Sequence, residues 1–370
     1  MATKNPPESF NKACVFGGLG FLGRSIVHQL QERHPHVQIT VADLRRPTDE
    51  LRIAGVEYDE VDITVPEQVV NFMEKRKPEV VIDTIAAPFD AAMPMQKKIT
   101  VEGTRNLINA AKKSDSVKAF VWTSSGSVVV NEGEEYRYGN EDLPYASKPV
   151  DEYGQSKAEA EQIVLNANCK EFKTCAIRVV GIFGPGKDCV LLKGMVDLIA
   201  ARRTTVQIGD NSQLFDFTFV DNAAIAHVLA AEKLIEEEKG QHDTPESSKV
   251  SGNAFFVNNN EPVYLFSFIR AVWAINGHTP PYTIKLGATM AWGLAIFTEW
   301  VSWLTGRPSP FDRKRVQHTI YSRYFSMEKA QSRLGYTPKY SLDQGLKLSF
   351  PDLVPKEELE KIQNSVRKTK

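Results

Sequence analysis

Short apolar runs alternate with amphipathic stretches through the first half of the chain. The runs at residues 13–16, 37–42 and 119–123 have the length and apolar content of buried strands. Between such runs, apolar residues recur at helical spacing, as in residues 66–76 and 100–112. Further strands are predicted at 56–63, 79–85 and 172–180. This alternation predicts an α/β fold in which a doubly wound parallel sheet carries helices on both faces.

The pattern changes after residue 190, where helical spacing predominates. We predict helices over 191–203, 222–238 and 264–276, with Asp221 as the N-cap of the second, and short strands at 205–208 and 253–258. Residues 131–150 are polar and acidic, which predicts a surface loop, and residues 240–251 form a polar insertion. The charged residues 355–370 are expected to fray.

Residues 284–304 form an unusually apolar stretch. Glu299 is its only charged residue after Leu286, and three tryptophans are interleaved. The length is close to the roughly 20 residues that a membrane-spanning helix needs, although a carboxylate at that depth is costly. Three interpretations stay open: a buried wall of a substrate pocket or interface, a helix lying on a membrane surface, and a full span.

Glycines follow the first apolar run at every third position. Gly17 permits a tight turn, Gly20 lets a pyrophosphate approach the backbone, and Gly23 lets the next helix pack against the strand. The N-terminus of that helix, with Phe21 and Leu22, then faces the phosphates. We therefore predict a Rossmann-type NAD(P)-binding domain over 10–190, an interleaved, smaller and mainly helical substrate-binding region over 191–350, and a charged tail over 351–370.

Further side chains are expected at the carboxyl edge of the sheet. Asp43 ends the second strand, where a carboxylate accepts hydrogen bonds from an adenosine ribose and repels the 2′-phosphate of NADP. Arg45 and Arg46 could instead bind that phosphate, so NAD is favoured over NADP without excluding it. Asp62 either contacts the adenine or caps the next helix. The small Ala86 leaves room for the cofactor, and Val180 ends the sixth strand at the same edge.

A set of side chains with acid–base chemistry follows. The fifth strand runs into Ser124 and Ser125, and Tyr153 and Lys157 are four residues apart on one helix face. A tyrosine with its ordinary pKa of about 10 needs a neighbouring ammonium to act as a base near neutral pH. We predict that Tyr153 is the acid/base, that Lys157 supplies the charge and holds the nicotinamide ribose, and that Ser125, or its neighbour Ser124, orients a substrate oxygen. The chemistry indicated is hydride transfer at an alcohol or ketone.

The composition of the chain restricts the classes of partner that it is expected to bind. The 370 residues carry a net charge of −1 and show no basic patch, which argues against a nucleic-acid surface and favours small molecules. The four cysteines lack metal-site spacing, so no metal and no disulfide is expected, and a reducing compartment suits them. The first ten residues are polar, unlike a secretory signal.

These motifs together resemble a known family. The glycine turn, the serine pair, the Tyr-x-x-x-Lys pair and the sequence Arg-x-x-Gly-Ile-Phe-Gly-Pro-Gly at 178–186 are similar to extended short-chain dehydrogenases/reductases of the 3β-hydroxysteroid dehydrogenase family. Residues 207–222, 226–231 and 334–338 are most similar to its sterol-4α-carboxylate 3-dehydrogenase (decarboxylating) branch. The resemblance covers about residues 12 to 350. The glycine and Tyr-x-x-x-Lys motifs mark only the superfamily, whereas 207–222 is more specific.

The resemblance implies a reaction. A sterol 3β-hydroxyl is oxidised by NAD(P), and the β-keto acid so formed loses carbon dioxide, because the ketone accepts the electrons as an enolate. Asp83, Thr100 and Val179 depart from the His, Asn and Pro common in the family, which indicates a diverged member. A ketoreductase or alcohol dehydrogenase acting on a steroid or terpenoid without decarboxylation therefore stays open, as does a non-catalytic nucleotide sensor. The resemblance also suggests the cytoplasmic face of the endoplasmic reticulum membrane, with the cytoplasm as alternative, and leaves a homodimer open.

Overall fold

The computed structural model describes residues 10–240, 245–306, 309 and 311–368. The strands among them are β1 Lys12–Phe16, β2 Gln38–Asp43, β3 Val56–Glu60, β4 Val80–Asp83, β5 Ala119–Ser125, β6 Tyr136–Gly139, β7 Lys173–Val179, β8 Ile182–Phe183, β9 Val206–Ile208, β10 Leu214–Phe215, β11 Thr218–Phe219, β12 Asn253–Val257, β13 Val263–Tyr264, β14 Ile284–Leu286 and β15 Arg323–Phe325.

The helices of the described residues are α1 Phe21–Arg33, α2 Pro66–Arg76, α3 Met93–Gln96, α4 Thr104–Lys113, α5 Glu152–Asn166, α6 Val190–Ala200, α7 Val220–Glu238, α8 Leu265–Ile275, α9 Ala288–Thr305, α10 Arg313–Ile320, α11 Glu328–Leu334, α12 Leu342–Ser349 and α13 Lys356–Lys368. A π-helical segment, Lys97–Gly103, joins α3 to α4. The helical run therefore begins at Met93, seven residues before the start at residue 100 that we predicted.

Seven parallel strands form the central sheet, in the order β12-β7-β5-β4-β1-β2-β3. One face of the sheet is covered by α1 and α7, and the other by α2, α4 and α5. Both faces are therefore buried, which explains why these strands read as continuous apolar runs. The order reverses between β1 and β4, and ligands in such sheets bind at that switch point, outside the carboxyl ends of the strands. The predicted fold class is confirmed.

A second, four-stranded sheet lies beside the first, in the order β13-β10-β15-β6. Its strand β6 falls within residues 131–150, where we predicted only a surface loop, so that prediction was wrong. Its register pairs Tyr136 with Arg323, far along the chain. The sequence of β6 does not indicate a strand, because it is polar and its pairing partner is remote in sequence.

The apolar stretch 284–304 folds as β14 followed by the 18-residue helix α9. Only Ala291 and Ala295 of α9 are buried, and they pack against Val316 of α10. Most of its large apolar side chains face outward, so the interpretation of this stretch as a buried pocket wall was wrong. In the part of the chain that the structure describes, no helix combines the length and the apolar character needed to cross a bilayer, which also removes the full span.

Two local predictions near helix ends were also wrong. Helix α7 begins at Val220 with Phe219 as N-cap, so Asp221 lies inside the first turn, where its carboxylate accepts a hydrogen bond from Ser25. The expected frayed tail contains helix α13, which buries Ile362 and Val366. Residues 1–9 and 241–244, parts of two predicted segments, lie outside the described residues.

Candidate active site

A large cavity of about 1480 Å³ opens at the carboxyl ends of β1, β4 and β5, where the order of the sheet reverses. It is lined by almost every residue that the sequence singled out: Gly17, Gly20, Phe21, Leu22, Asp43, Asp62, Ala86, Ser124, Ser125, Tyr153, Lys157 and Val180. Gly23 is the exception among the predicted residues. The predicted cofactor-binding and catalytic positions therefore converge on one space.

The glycine turn has the shape of a phosphate cradle. Gly17 has a positive φ of 74°, and a Cβ there would approach the Thr84 hydroxyl to 2.6 Å. A Cβ at Gly23 would collide with the backbone oxygen of Gly17, so Gly23 acts in packing α1 onto β1, away from the cavity wall. Gly18 is equally constrained, because a Cβ would lie 2.6 Å from Val41. The period of three did not identify Gly18.

Asp43 and Asp62, the two acidic residues predicted to contact the cofactor, both line the cavity. Oδ2 of Asp43 accepts a hydrogen bond from the Leu19 N–H at 3.2 Å, which ties the end of β2 to the glycine turn. Arg45 lines the cavity, whereas Arg46 pairs with Glu60 at 3.3 Å. Asp62 accepts the N–H of Thr64 at 2.8 Å, and the N-cap of α2 is Val65, so Asp62 closes the preceding turn instead of capping the helix.

Helix α5 presents the predicted acid–base pair. The Asp151 side chain caps it by accepting the Gly154 N–H at 2.7 Å, which places Tyr153 in the first turn and Lys157 one turn later. Burial raises the pKa of Tyr153 to about 12, and the neighbouring Ser125 hydroxyl acts in the opposite direction. Tyr153 therefore keeps its proton at neutral pH in this state. The Ser127 hydroxyl, which the sequence analysis missed, donates to Ser125 at 2.8 Å.

The two serines at the end of β5 have different surroundings. Successive side chains of a strand point to opposite faces. The Ser124 hydroxyl donates to Glu161, which forms a buried ion pair with Arg178 at 2.7 Å and also accepts from Tyr145 at 2.9 Å. The structure thus brings Ser125 toward Tyr153 and commits the hydroxyl of Ser124 to a buried ion pair behind the site.

The other end of the cavity is apolar. Its lining includes Phe89, Met95, Ile99, Val130, Leu191, Phe215, Leu265 and Ile269. Phe89 packs against the Tyr153 ring, with 5.2 Å between ring centroids. Such a surface suits a large hydrophobic ligand whose reacting group reaches Tyr153.

A basic side chain interrupts this apolar wall. Arg323 lines the cavity but is only 8 % exposed, and burial lowers its pKa to about 10. Its Nη1 lies 2.6 Å from Nδ1 of His318, while Nε and Nη2 have no hydrogen-bond partner among the described residues. Buried donors of a charged group are normally satisfied. The sequence analysis missed both residues, and no local motif marks them.

Comparisons with known proteins agree with this geometry. Residues 14–288 match the model of the 3-beta hydroxysteroid dehydrogenase/isomerase family. The chain is 37 % identical to sterol-4-alpha-carboxylate 3-dehydrogenase erg26, decarboxylating, of Schizosaccharomyces pombe, covering 91 % of this chain and 96 % of the relative. It is 32 % identical to the Mus musculus sterol-4-alpha-carboxylate 3-dehydrogenase, decarboxylating, covering 92 % and 91 % of the two chains.

Solved structures are more distant in sequence and support the fold alone. The crystal structure of gox2253 superposes with a TM-score of 0.72 at 22 % identity, covering 92 % of this chain and 97 % of that one. UDP-glucose 4-epimerase of Thermus thermophilus, in complex with NAD, gives a TM-score of 0.67 at 20 % identity, covering 92 % and 98 %. The recognition made from the motifs is confirmed: the chain belongs to the 3-beta hydroxysteroid dehydrogenase/isomerase family.

Proposed function

We propose that this protein oxidises the 3β-hydroxyl of a sterol 4α-carboxylate to the ketone with NAD(P), and that loss of carbon dioxide follows. Relatives from fungi and animals carry that activity in their names, and a plant relative is named 3beta-hydroxysteroid-dehydrogenase/decarboxylase. The observation that carries the proposal is the buried guanidinium of Arg323 in the wall of the same apolar cavity as Tyr153, with two donor atoms that have no partner among the described residues. A carboxylated sterol matches both features.

The residues present fit a nicotinamide dinucleotide. A Cβ at Gly17 would fill the space beside Thr84 at the cavity wall, and Asp43 stands beside the turn with one oxygen not used by Leu19. When bound, the dinucleotide supplies the hydride acceptor. We assign NAD as the preferred form because of Asp43, with Arg45 as the cation that would meet a 2′-phosphate. We assign cofactor binding to residues 10–190 and substrate binding chiefly to 191–350, which supply Arg323.

The acid–base steps belong to Ser125, Tyr153 and Lys157. Ser125 accepts or donates at the substrate oxygen and orients it, and Tyr153 takes the proton of the hydroxyl as hydride leaves the carbon. Burial raises the pKa of Tyr153, so ionisation requires positive charge nearby. The Lys157 ammonium, together with the charge of the oxidised cofactor, provides it. We assign Ser124 no part in these steps, because its hydroxyl donates a hydrogen bond to Glu161.

Arg323 acts on the carboxylate. Its Nε and Nη2 form the fork that matches two carboxylate oxygens. Once C3 is a ketone, the bond from C4 to the carboxylate breaks, its electron pair passes into the C3 carbonyl as an enolate, and neutral carbon dioxide leaves. Tyr153, protonated in the first step, donates to the enolate oxygen. Arg323 then holds no anion, which favours product release.

Turnover tests the proposal directly. Purified protein is mixed with a 4α-carboxysterol and either NAD or NADP, the reduced-nicotinamide absorbance is followed, and the product mass is measured by mass spectrometry. We expect a ketone lighter by carbon dioxide, faster turnover with NAD, and no turnover by Tyr153→Phe despite retained NAD binding. Activity on a plain 3-hydroxysteroid but none on the carboxylated one would support the alternative without decarboxylation.

We also propose that the protein contacts the endoplasmic reticulum membrane from its cytoplasmic face through residues 284–304. The outer face of α9 exposes Met290, Leu294, Ile296, Phe297, Trp300, Val301, Trp303 and Leu304, with Trp303 78 % exposed. Exposed apolar area of this size, rich in tryptophan, is typical of interfacial helices. Helix α10 packs on α9 and supplies His318 and Thr319 to the cavity. A bilayer at α9 would therefore lie beside the apolar end of the site.

Vesicle cosedimentation tests the membrane contact. With phosphatidylcholine vesicles containing phosphatidylserine, we expect the unaltered protein to pellet and the double variant Trp300→Ser, Trp303→Ser to stay in the supernatant. Leu353→Ser, which changes an exposed apolar residue outside α9, serves as the matched control. A protein that remains in the supernatant but sediments as a dimer through α9 would instead assign this surface to a homodimer.

A further inference from the structure

A buried carboxylate lies beneath the candidate site and has no role so far. Asp83 is the last residue of β4 and is 0 % exposed. Its Oδ1 accepts the N–H of Ile85 at 2.9 Å, whereas Oδ2 makes no hydrogen bond of good geometry among the described residues, and the neighbouring Trp122 indole and Lys157 both lower the pKa of the carboxyl. A buried carboxylate with an unused oxygen is costly unless a nearby positive charge compensates it.

The strand register shows which groups surround Asp83. It stands between Phe16 of β1 and Trp122 of β5, whose side chains belong to the core on the α5 side of the sheet. Lys157 of α5 enters the same compartment, with Nζ 4.3 Å from the centre of the Trp122 ring. Lysine and aspartate are thus both buried on this side of the sheet, Asp83 completely and Lys157 at the wall of the cavity.

Lys157 is held there by few contacts. It is 2 % exposed, and Nζ donates to the backbone oxygen of Thr123 at 2.7 Å. The acidic groups that act on it are Asp83 and Glu161. Glu161 is already paired with Arg178 in a bidentate contact, so its charge is largely compensated. Asp83 is the carboxylate left to balance Lys157.

The remaining titratable neighbours do not replace Asp83. His227 of α7 lies on the opposite face of the sheet, where it contacts Thr123, and burial lowers its pKa to about 4, so it is neutral at pH 7. Cys14 of β1 faces Asp83, and burial raises the pKa of its thiol, so it is also uncharged. Among the described residues, Asp83 is therefore the group that opposes the effect of burial on Lys157 without being paired to another cation, although the two side chains do not form a direct salt bridge.

We infer that Asp83 is a positioning residue that keeps Lys157 protonated and holds its Nζ against β5, one turn of α5 from Tyr153. The catalytic consequence rests on the proposed function of Tyr153 and Lys157, whereas the charge pairing itself does not. Burial lowers the pKa of Lys157 and raises that of Asp83, and each charge opposes the shift of the other. Removing the carboxylate leaves burial unopposed, so Lys157 would lose its proton at lower pH.

The first experiment needs no substrate. Full-length protein labelled with ¹³Cε-lysine is titrated by NMR, and the Lys157 signal is assigned with Lys157→Arg. We expect Asp83→Asn to lower the pKa of Lys157 by about one unit or more, a tenfold change in proton affinity. Asp83→Glu should retain most of the wild-type value, and Glu141→Gln, which alters a half-buried carboxyl elsewhere, should leave it unchanged. An unchanged Lys157 titration in Asp83→Asn overturns the inference.

A second measurement reports the catalytic consequence. In the pH profile of kcat, the alkaline limb of Asp83→Asn should move to lower pH by the same amount as the NMR titration, while KM for NAD changes less than kcat. If Asp83→Asn does not fold, Asp83→Ser removes the same charge with a smaller side chain. A shifted Lys157 titration without sterol turnover would leave the pairing standing and refute the proposed function alone.

Discussion

Replacing Arg323 by methionine should separate carboxylate recognition from the oxidation chemistry. Arg323 is buried in the cavity wall, and two of its donor atoms have no partner in the described part of the chain. Methionine has a similar length and no charge, so it fills the wall without binding an anion. We expect Arg323→Met to impair turnover of a 4α-carboxysterol while sparing the corresponding neutral 3β-hydroxysterol.

The magnitude follows from the contact that is lost. Removing one member of a desolvated, charge-assisted pair costs about 2–5 kcal/mol, because the other charge is left buried and unpaired. In kcat/KM this corresponds to about 30- to 5,000-fold for the carboxylated substrate. The neutral sterol makes no such pair, so its kcat/KM should change less than about threefold. Arg323→Lys keeps the charge but loses the fork, and should give an intermediate loss.

The assay compares kcat/KM for the two sterols in wild type and in both variants, with cofactor saturating. A melting curve accompanies it, and we expect no destabilisation in Arg323→Met, since removal of a poorly paired buried cation often stabilises a protein. Equal losses on both sterols would show that Arg323 supports the structure of the site in general. An unchanged kcat/KM on the carboxylated sterol would refute carboxylate binding by Arg323.

Three further predictions test the rest of the site. Gly23→Ala should abolish NAD binding in calorimetry, because a Cβ would collide with the Gly17 oxygen; unchanged affinity would contradict the packing role. Asp43→Asn should lower the preference for NAD over NADP in kcat/KM at least about tenfold, since it removes the charge that repels the 2′-phosphate; an unchanged ratio would assign selectivity elsewhere. Burial lowers the pKa of His227 from 6.5 to about 4, so on acidification the unfolded chain takes up a proton that the folded chain does not. Between about pH 7.5 and pH 5, wild type should therefore lose about 2 kcal/mol of unfolding free energy relative to His227→Asn in urea titrations. A difference that does not vary with pH would contradict that reasoning.

Local patterns were enough for the cofactor half of the site. The glycines of residues 17–23 act through the backbone of one turn, so their spacing alone predicts the cradle. Tyr153 and Lys157 lie on one turn of α5, and helical periodicity places them together. Strand alternation sends the hydroxyls of Ser124 and Ser125 to opposite faces but does not say which of them meets Tyr153, and only the contact of Ser124 with Glu161 decides that.

Features that depend on pairing between strands far apart in sequence could not be predicted from local patterns. Arg323 reaches the cavity because β15 pairs with β10 and β6, and β10 is too short and β6 too polar to be recognised as strands in isolation. Helix α9 is apolar on most sides, and composition does not reveal which side packs against a neighbour. Its packing face is narrow, with only Ala291 and Ala295 fully buried.

Substrate choice can change within this fold more easily at the apolar end of the cavity than at the glycine turn or α5. Gly17 and Gly23 leave no room for a Cβ, and Lys157 is buried against Thr123, so we expect substitutions there to disable the chemistry. Arg323 lines the cavity from β15, which pairs with its neighbours through the backbone, so another side chain at this position is compatible with the sheet. A neutral residue at position 323 would leave hydride transfer intact and remove the reason for a carboxylate to bind. We therefore expect the choice between a carboxylated and a plain hydroxysteroid substrate to depend on position 323, where this chain has a buried cation with two donor atoms that lack a partner among the described residues.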